Sequence, residues 1–172
     1  MSGPASPNRT KKATAADSVL TPPTVAKQIV DYFNPIGTCL DPCRGKGNAF
    51  YNALPLPKDW CEITEGRDFL EYEGAVDWII TNPPYSIYDA FLGKAFSVAD
   101  NVVFFVPIAK AFKSMTIERQ VRKYGGLKEI VLMGGGSSYG FAFGFPVGCL
   151  YYKRNYRGAC KITYWGTAKE HK

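Results

Sequence analysis

The run Asp77-Trp78-Ile79-Ile80-Thr81 passes directly into Asn82-Pro83-Pro84-Tyr85, and this junction constrains the fold more than any other stretch. A short apolar run bounded by turn residues reads as a buried strand. Two consecutive prolines cannot extend a hydrogen-bonded ladder, so the chain must leave the sheet at Asn82. The same prolines stiffen the corner and hold Asn82 in one place. Residues 88–99 then repeat apolar side chains at Phe91, Leu92, Ala95, Phe96 and Ala99, which is helical spacing, and Val102–Val106 is a continuous apolar strand ended by Pro107. Strand, helix and strand in this order predict a parallel sheet with helices on both faces.

The flanking sequence extends the pattern. Thr21-Pro22-Pro23 opens a helix, with Thr21 as the expected cap, and Val25, Ile29, Val30 and Phe33 follow at helical intervals before Asn34-Pro35-Ile36-Gly37 ends it. Strands are expected at Thr38–Leu40, Trp60–Ile63, Ile130–Met133 and Val147–Tyr152, with a last edge strand at Ile162–Trp165. Short helices are expected at Asn48–Leu54 and, rich in basic residues, at Ser114–Tyr124. Only a Gly-Ser-Phe loop separates Ile130–Met133 from Val147–Tyr152, so these two should pair antiparallel, because a parallel pair needs a longer crossover. The reading is an α/β fold with a seven-stranded, mostly parallel sheet and an antiparallel strand near the C-terminus.

With 172 residues the chain has room for one domain of about 150 residues and short extensions. Residues 1–18 read as a flexible basic tail and residues 167–172 as a basic C-terminal tail. No apolar stretch approaches a membrane span, and the N-terminus shows no secretory h-region. The five cysteines are scattered without a CxxC pair and there is one histidine, so neither a disulfide framework nor a metal site is expected. An intracellular setting, cytoplasmic or nuclear, is the simplest reading. The net charge of +6 is concentrated at residues 1–18 and 153–172, with a further basic cluster over residues 110–128. This pattern suits a polyanion partner and equally a solvated face.

Two constellations carry the chemistry. In the first, a strand runs into Asp41-Pro42-Cys43-Arg44-Gly45-Lys46-Gly47 and then a helix. The glycines let backbone approach a ligand closely and the turn delivers it to a helix N-terminus. Glu62, 21 residues beyond Asp41, suits a ribose-binding carboxylate. The dinucleotide pattern G-x-G-x-x-G is absent, which points to an adenosyl group without a pyrophosphate; the turn alone also reads as an ordinary tight βα connection. In the second, the Asn82 carboxamide oxygen and a neighbouring backbone carbonyl are two acceptors able to hold both hydrogens of a planar NH₂ group, and Tyr85 offers a flat stacking face.

Together these pieces resemble the gamma-type SAM-dependent N6-adenine DNA methyltransferases, over about residues 18–152. The resemblance implies a Rossmann-like class I methyltransferase domain over residues 19–166, in a minimal form without a target-recognition domain. It implies that Thr21 and Pro22 contact the methionine end of S-adenosylmethionine. Asp41, Cys43, Gly45 and Gly47 would form the cofactor loop, Glu62 would hold the ribose, Asp68 and Phe69 would bracket the cofactor adenine, and Asn82 would face the cofactor. Asn82, Pro83, Pro84 and Tyr85 match the catalytic tetrapeptide. Only five residues separate Glu62 from Asp68, so no helix fits between them and Glu65 remains an alternative to Glu62. For the substrate side, Tyr85, Lys110, Lys113 and Phe143 are the expected contacts, with Phe141 or Phe145 as alternatives to Phe143. The expected reaction is methyl transfer to adenine N6 in DNA. RNA bases, a protein glutamine amide, or a non-catalytic nucleic-acid-binding role are the competing readings. DNA is preferred over RNA as partner, with a homodimer or a specificity subunit supplying what a single chain lacks.

Overall fold

The computed structural model describes residues 20–165; the expected tails at 1–18 and 167–172 lie outside them. In chain order the elements are α1 (Pro23–Phe33), β1 (Cys39–Asp41), α2 (Ala49–Ala53), β2 (Lys58–Trp60), β3 (Val76–Thr81), α3 (Tyr88–Val98), β4 (Ala99–Pro107), α4 (Met115–Tyr124), β5 (Gly125–Gly135), β6 (Pro146–Arg154) and β7 (Lys161–Tyr164). The strands form one seven-stranded sheet in the order β2-β1-β3-β4-β6-β5-β7. β2, β1, β3 and β4 run parallel, β6 runs antiparallel to both its neighbours, and β7 joins β5 in parallel at the edge. Among the described residues no helix is long and apolar enough to cross a membrane.

Strand alternation splits the core into two layers. On β4, Val102, Phe104 and Val106 join the layer under α3 and α4, whereas Val103 and Phe105 join the layer under α1 and α2. Ile79 and Ile80 of β3 divide in the same way. A continuous apolar run is therefore what a doubly covered strand requires, because both faces of β4 are dry. The antiparallel pairing expected of the last two core strands is present, with Ile130 opposite Leu150 and Val131 opposite Cys149.

Several boundaries differ from the sequence reading. β2 lies at Lys58–Trp60 rather than Trp60–Ile63, because parallel pairing to Cys39–Asp41 fixes its register and Lys58 and Asp59 carry no apolar signal. Glu62 therefore lies beyond the strand, where its side chain caps a 3₁₀ turn at Ile63–Glu65. As the spacing required, two 3₁₀ turns and no helix join β2 to β3. β5 begins at Gly125 rather than Ile130, since Gly125–Leu127 already pair with Arg154–Tyr152. Thr21 makes no cap bond; the α1 N-cap is Pro22, and Thr21 Oγ1 is engaged elsewhere.

Backbone crossing leaves no room for a side chain at one core position. A Cβ added to Gly148 of β6 would sit 1.9 Å from the Val131 carbonyl oxygen. Neither strand can yield without breaking its ladder, so Gly148→Ala is expected to cost about 3 kcal/mol or more. Thermal melting should show the loss as a drop of many degrees, and an unchanged melting temperature would refute this account of the β5–β6 packing.

Candidate active site

The strand order sets a divergence point where topology favours ligands. β1 is followed by β2 on one side, while β3 and β4 extend the sheet on the other, so the chain diverges between β1 and β3. In open α/β sheets, ligands bind at the carboxyl ends of the strands at such a point. Asp41 ends β1, Thr81 ends β3, and Asn82 comes next.

The two sequence constellations meet there through side chains. Thr81 Oγ1 donates to Asp41 Oδ1 at 2.8 Å, and the Cys43 amide donates to the same oxygen at 3.3 Å. The Cys43 thiol donates to the Asn82 carbonyl at 3.3 Å and lies 3.3 Å from Thr81 Oγ1. Asp41 is almost wholly buried, and burial pushes its carboxyl up to about 6 against the pull of these donors. Burial also drives the Cys43 thiol well above its ordinary range, with the Asp41 charge adding to the effect, so it stays protonated as a donor.

Asn82 is half-buried and held on both sides. Its Nδ2 donates to Thr21 Oγ1 at 3.3 Å, and its Oδ1 accepts from the Tyr85 hydroxyl at 2.9 Å. Pro83 is buried and Pro84 half-buried, and the chain after them turns through a 3₁₀ segment at Tyr85–Ile87 into α3. Lys110 Nζ lies 5.2 Å from the centre of the Tyr85 ring and 5.9 Å from that of Tyr88. On the side of the Gly-rich loop, the Phe141 ring is within 10° of parallel to Tyr85 with centroids 6.3 Å apart. Phe143 follows Phe141 at 5.9 Å, and Phe145 follows Phe143 at 5.2 Å. Of the three phenylalanines expected near the site, the structure therefore sets Phe141 against Tyr85.

In the glycine turn, Gly45 has φ near +59°, in the left-handed region that glycine tolerates at little cost. Its amide donates to Glu62 Oε2 at 3.0 Å, while Thr64 donates to Glu62 Oε1 through its amide and its hydroxyl. Burial alone would raise the Glu62 carboxyl; these hydrogen bonds and the nearby Arg44 charge outweigh it and leave it lowered. Glu65 instead pairs with Arg44 at 2.5 Å. Leu20 passes over the turn, its side chain 3.8 Å from where a Gly47 Cβ would lie.

The remaining expected residues are placed as follows. Asp68 caps its own 3₁₀ turn by accepting from the Leu70 amide, and Phe69 is buried with its ring 4.7 Å from that of Phe91. Lys113 is exposed at the foot of α4. Two features were missed by sequence reasoning. Thr81 was visible as the last strand residue, and a hydroxyl directly before the Asn-Pro-Pro corner was the available signal. Trp60 is sandwiched between the Arg44 and Arg67 guanidiniums, at 3.6 and 4.2 Å from its ring centre; no sequence signal marked it.

Comparison with known proteins gives the fold. No family model matches the chain, and no curated protein matches it in sequence. A protein from Listeria monocytogenes assigned as a class I S-adenosylmethionine-dependent methyltransferase superposes with a TM-score of 0.70 at 11% identity, covering 88% of this chain and 67% of the other. The fold is that of the class I methyltransferases. A modification subunit assigned to a type I restriction enzyme from Vibrio vulnificus YJ016 superposes at 0.60 with 15% identity over 93% of this chain, which spans 49% of that subunit. A protein assigned as an RNA methyltransferase from Pyrococcus horikoshii superposes at 0.57 with 15% identity, covering 77% of this chain and 82% of that one.

Proposed function

We propose that this chain transfers a methyl group from S-adenosylmethionine to the exocyclic N6 of adenine in DNA. One observation carries the reading: the Asp41 turn and the Asn82 corner are bonded to each other, through Thr81 and Cys43, at the divergence point of a class I methyltransferase sheet. A turn suited to an adenosyl ligand and a corner suited to an amino group thus lie side by side at one end of the sheet.

The residues fit that cofactor. A Cβ added at Gly45 would meet nothing within 4 Å, so the turn leaves open space on that side. Asn48 Oδ1 and Arg44 Nε are buried without a hydrogen-bond partner and line the same turn. In this reading Asp41, Cys43, Gly45 and Gly47 cradle the adenosyl group, Glu62 shares its carboxylate with the ribose, and Thr21 and Pro22 adjoin the methionine end. Asp68 and Phe69 are proposed to border the adenine. The cofactor supplies an electrophilic methyl group on a sulfonium.

The chain's own residues handle the nucleophile. The adenine N6 lone pair is delocalised into the ring. Accepting its hydrogens at Asn82 Oδ1 and the Pro83 carbonyl draws the nitrogen toward tetrahedral geometry and returns that electron density to it. These fixed dipoles then stabilise the positive charge that develops. Asn82 has no useful basicity, so it orients and polarises. The Tyr85 hydroxyl now donates to Asn82 Oδ1, an amide oxygen with two lone pairs, so the amine would bind beside it or in its place. An extruded base would stack on Tyr85, with Phe141 and Phe143 on the other side and Lys110 and Lys113 near the phosphates.

The test is to incubate the chain with S-adenosylmethionine and DNA, RNA or peptide substrates and map the product by mass spectrometry. N6-methyladenine in DNA is expected; methylation confined to RNA or to glutamine would overturn the substrate assignment. The likeness to the Pyrococcus protein makes RNA the second reading, and the likeness to the Vibrio subunit suggests that a partner chain supplies target choice. Substitutions at Tyr85 separate its two duties. Tyr85→Phe keeps the ring and removes only the hydroxyl, so turnover should change by less than about 10-fold; Tyr85→Ala removes a stacking face worth about 1–3 kcal/mol and should cost about 10- to 100-fold in kcat/KM. Equal losses in both variants would show that the hydroxyl, not the ring, matters.

A further inference from the structure

At the other end of the sheet, beyond the last turn of α1, the face that carries α1 opens into a cavity of about 450 Å³. That volume lies within the range of about 300–1,000 Å³ usual for small-ligand sites. Its walls include Phe33, Trp78, Asn101, Lys128, Tyr151 and Lys153. Trp78, Asn101 and Lys153 are successive cross-strand partners on β3, β4 and β6, so they form one row across the sheet. Higher on the same face, Ile80, Val103 and Phe105 are closed core. The face thus changes from dry aliphatic to aromatic and cationic as it leaves α1.

A β-bulge sharpens the change. Pairing of β5 with β6 slips between Leu127 and Glu129, leaving Lys128 as the extra residue. Leu127 packs under α4, while Glu129 reaches α1 on the opposite face, accepting from the Tyr32 hydroxyl at 2.7 Å. The bulge sets Lys128 Nζ over the Tyr151 ring, 5.2 Å from its centre. Bulges that re-aim a side chain recur beside functional surfaces.

The polar groups of this cavity differ in how they are satisfied. Two acceptors are engaged internally: Asn101 Oδ1 takes the Tyr151 hydroxyl at 2.8 Å, and Glu129 Oε1 takes Tyr32, Thr163 and Lys161. The Lys128 and Lys153 ammonium groups have no ion pair or hydrogen bond among the described residues. Trp78 and Tyr151 stack at 22° with centroids 5.5 Å apart, and Phe33 packs on Tyr151 at 5.5 Å. Flat apolar walls beside two cations without a partner among the described residues suit a ligand with an unstacked base and a phosphate.

We infer that this cavity is a second nucleic-acid site, taking a nucleotide of a single strand with its base against the Trp78 and Phe33 wall and its phosphate at Lys128 and Lys153. The site is separate from the Asn82 corner and does not depend on methyl transfer. A duplex would not suit it, because bases stacked on their neighbours hide the faces the aromatic wall would take. Extra purchase on a flanking single strand would add affinity without sequence information.

The experiment uses the full chain and fluorescein-labelled dT12, which offers no exocyclic amine to Asn82. Anisotropy titrations are run from 50 to 200 mM NaCl. Lys128→Gln/Lys153→Gln should bind about 10-fold more weakly, with a salt slope shallower by about 1.4, the counterion contribution of two phosphate contacts on a single strand. Lys153 is exposed and Lys128 half-buried, and neither is ion-paired among the described residues, so an unchanged melting temperature certifies the fold. Tryptophan quenching by unlabelled dT12 should fall by more than half in Trp78→Phe. If the double variant keeps wild-type affinity and slope while Lys110→Gln/Lys113→Gln loses them, or if quenching is unchanged in Trp78→Phe, the cavity is not the site. If the wild-type chain methylates nothing while these variants show the expected losses, the proposed activity is refuted and this inference stands.

Discussion

Asn82→Ala is expected to reduce methyl transfer about 10²- to 10³-fold while leaving cofactor affinity within a few-fold of wild type. The magnitude is that of removing one preorganised dipole aimed at developing charge. The structure explains why the two effects separate. Asp41, which carries the proposed cofactor turn, is tied to Thr81 and to the Cys43 amide, and neither bond uses the Asn82 side chain. Cys43 reaches the Asn82 backbone carbonyl, which alanine retains. What the variant loses is Oδ1, the acceptor now held by Tyr85, together with one bond from Nδ2 to Thr21 worth about 1 kcal/mol. Single-turnover methylation and calorimetric titration of S-adenosylmethionine read the two effects separately. Near-normal turnover would remove Asn82 from the mechanism; a parallel collapse of cofactor affinity would make it a structural residue of the turn.

The parts of this molecule legible in the sequence are those where one physical demand dominates. Val102–Val106 had to be a doubly buried strand, and both of its faces are dry. The proline pair had to end β3, and β3 ends at Thr81. A loop too short for a crossover required antiparallel pairing, and β6 runs against β5. The failures fall where tertiary context outweighs local pattern. Lys58 and Asp59 carry no strand signal, yet pairing to β1 makes them one, and that shift leaves Glu62 in a turn beyond the sheet. Thr21 had the chemistry of a helix cap, but across 61 residues of sequence it meets Asn82 instead. Trp60 between two guanidiniums and Phe141 parallel to Tyr85 are likewise long-range facts. The aromatic loop of residues 133–146 offered three candidate phenylalanines because spacing alone does not say which ring turns inward.

Asp41→Asn should make the free protein more stable at neutral pH and a weaker binder of its cofactor. Burial raises the Asp41 carboxyl from 3.8 to about 6. Below pH 3.8 the folded and unfolded chains both hold the proton and the group is neutral in stability. Between 3.8 and about 6 the folded chain holds the proton that the unfolded chain releases, so stability falls as pH rises. Above 6 the full cost of about 3 kcal/mol persists. Asparagine removes that cost. It keeps an oxygen for Thr81 and Cys43 but sets an amide against the Tyr51 amide, forfeiting about 1 kcal/mol. The net gain of about 2 kcal/mol corresponds to a rise of about 4–8 °C in melting temperature at pH 7.5; it passes through zero between about pH 4 and 5 and reverses below, where the lost Tyr51 bond outweighs the vanishing charge cost. A buried charge held at such expense is retained for what it binds, so S-adenosylmethionine affinity should fall by at least about 10-fold, or 1.4 kcal/mol. Melting curves across pH 4–8 together with calorimetry decide the matter. A variant that melts lower at every pH and binds the cofactor as well as wild type would show that the Asp41 charge serves the fold and not the ligand.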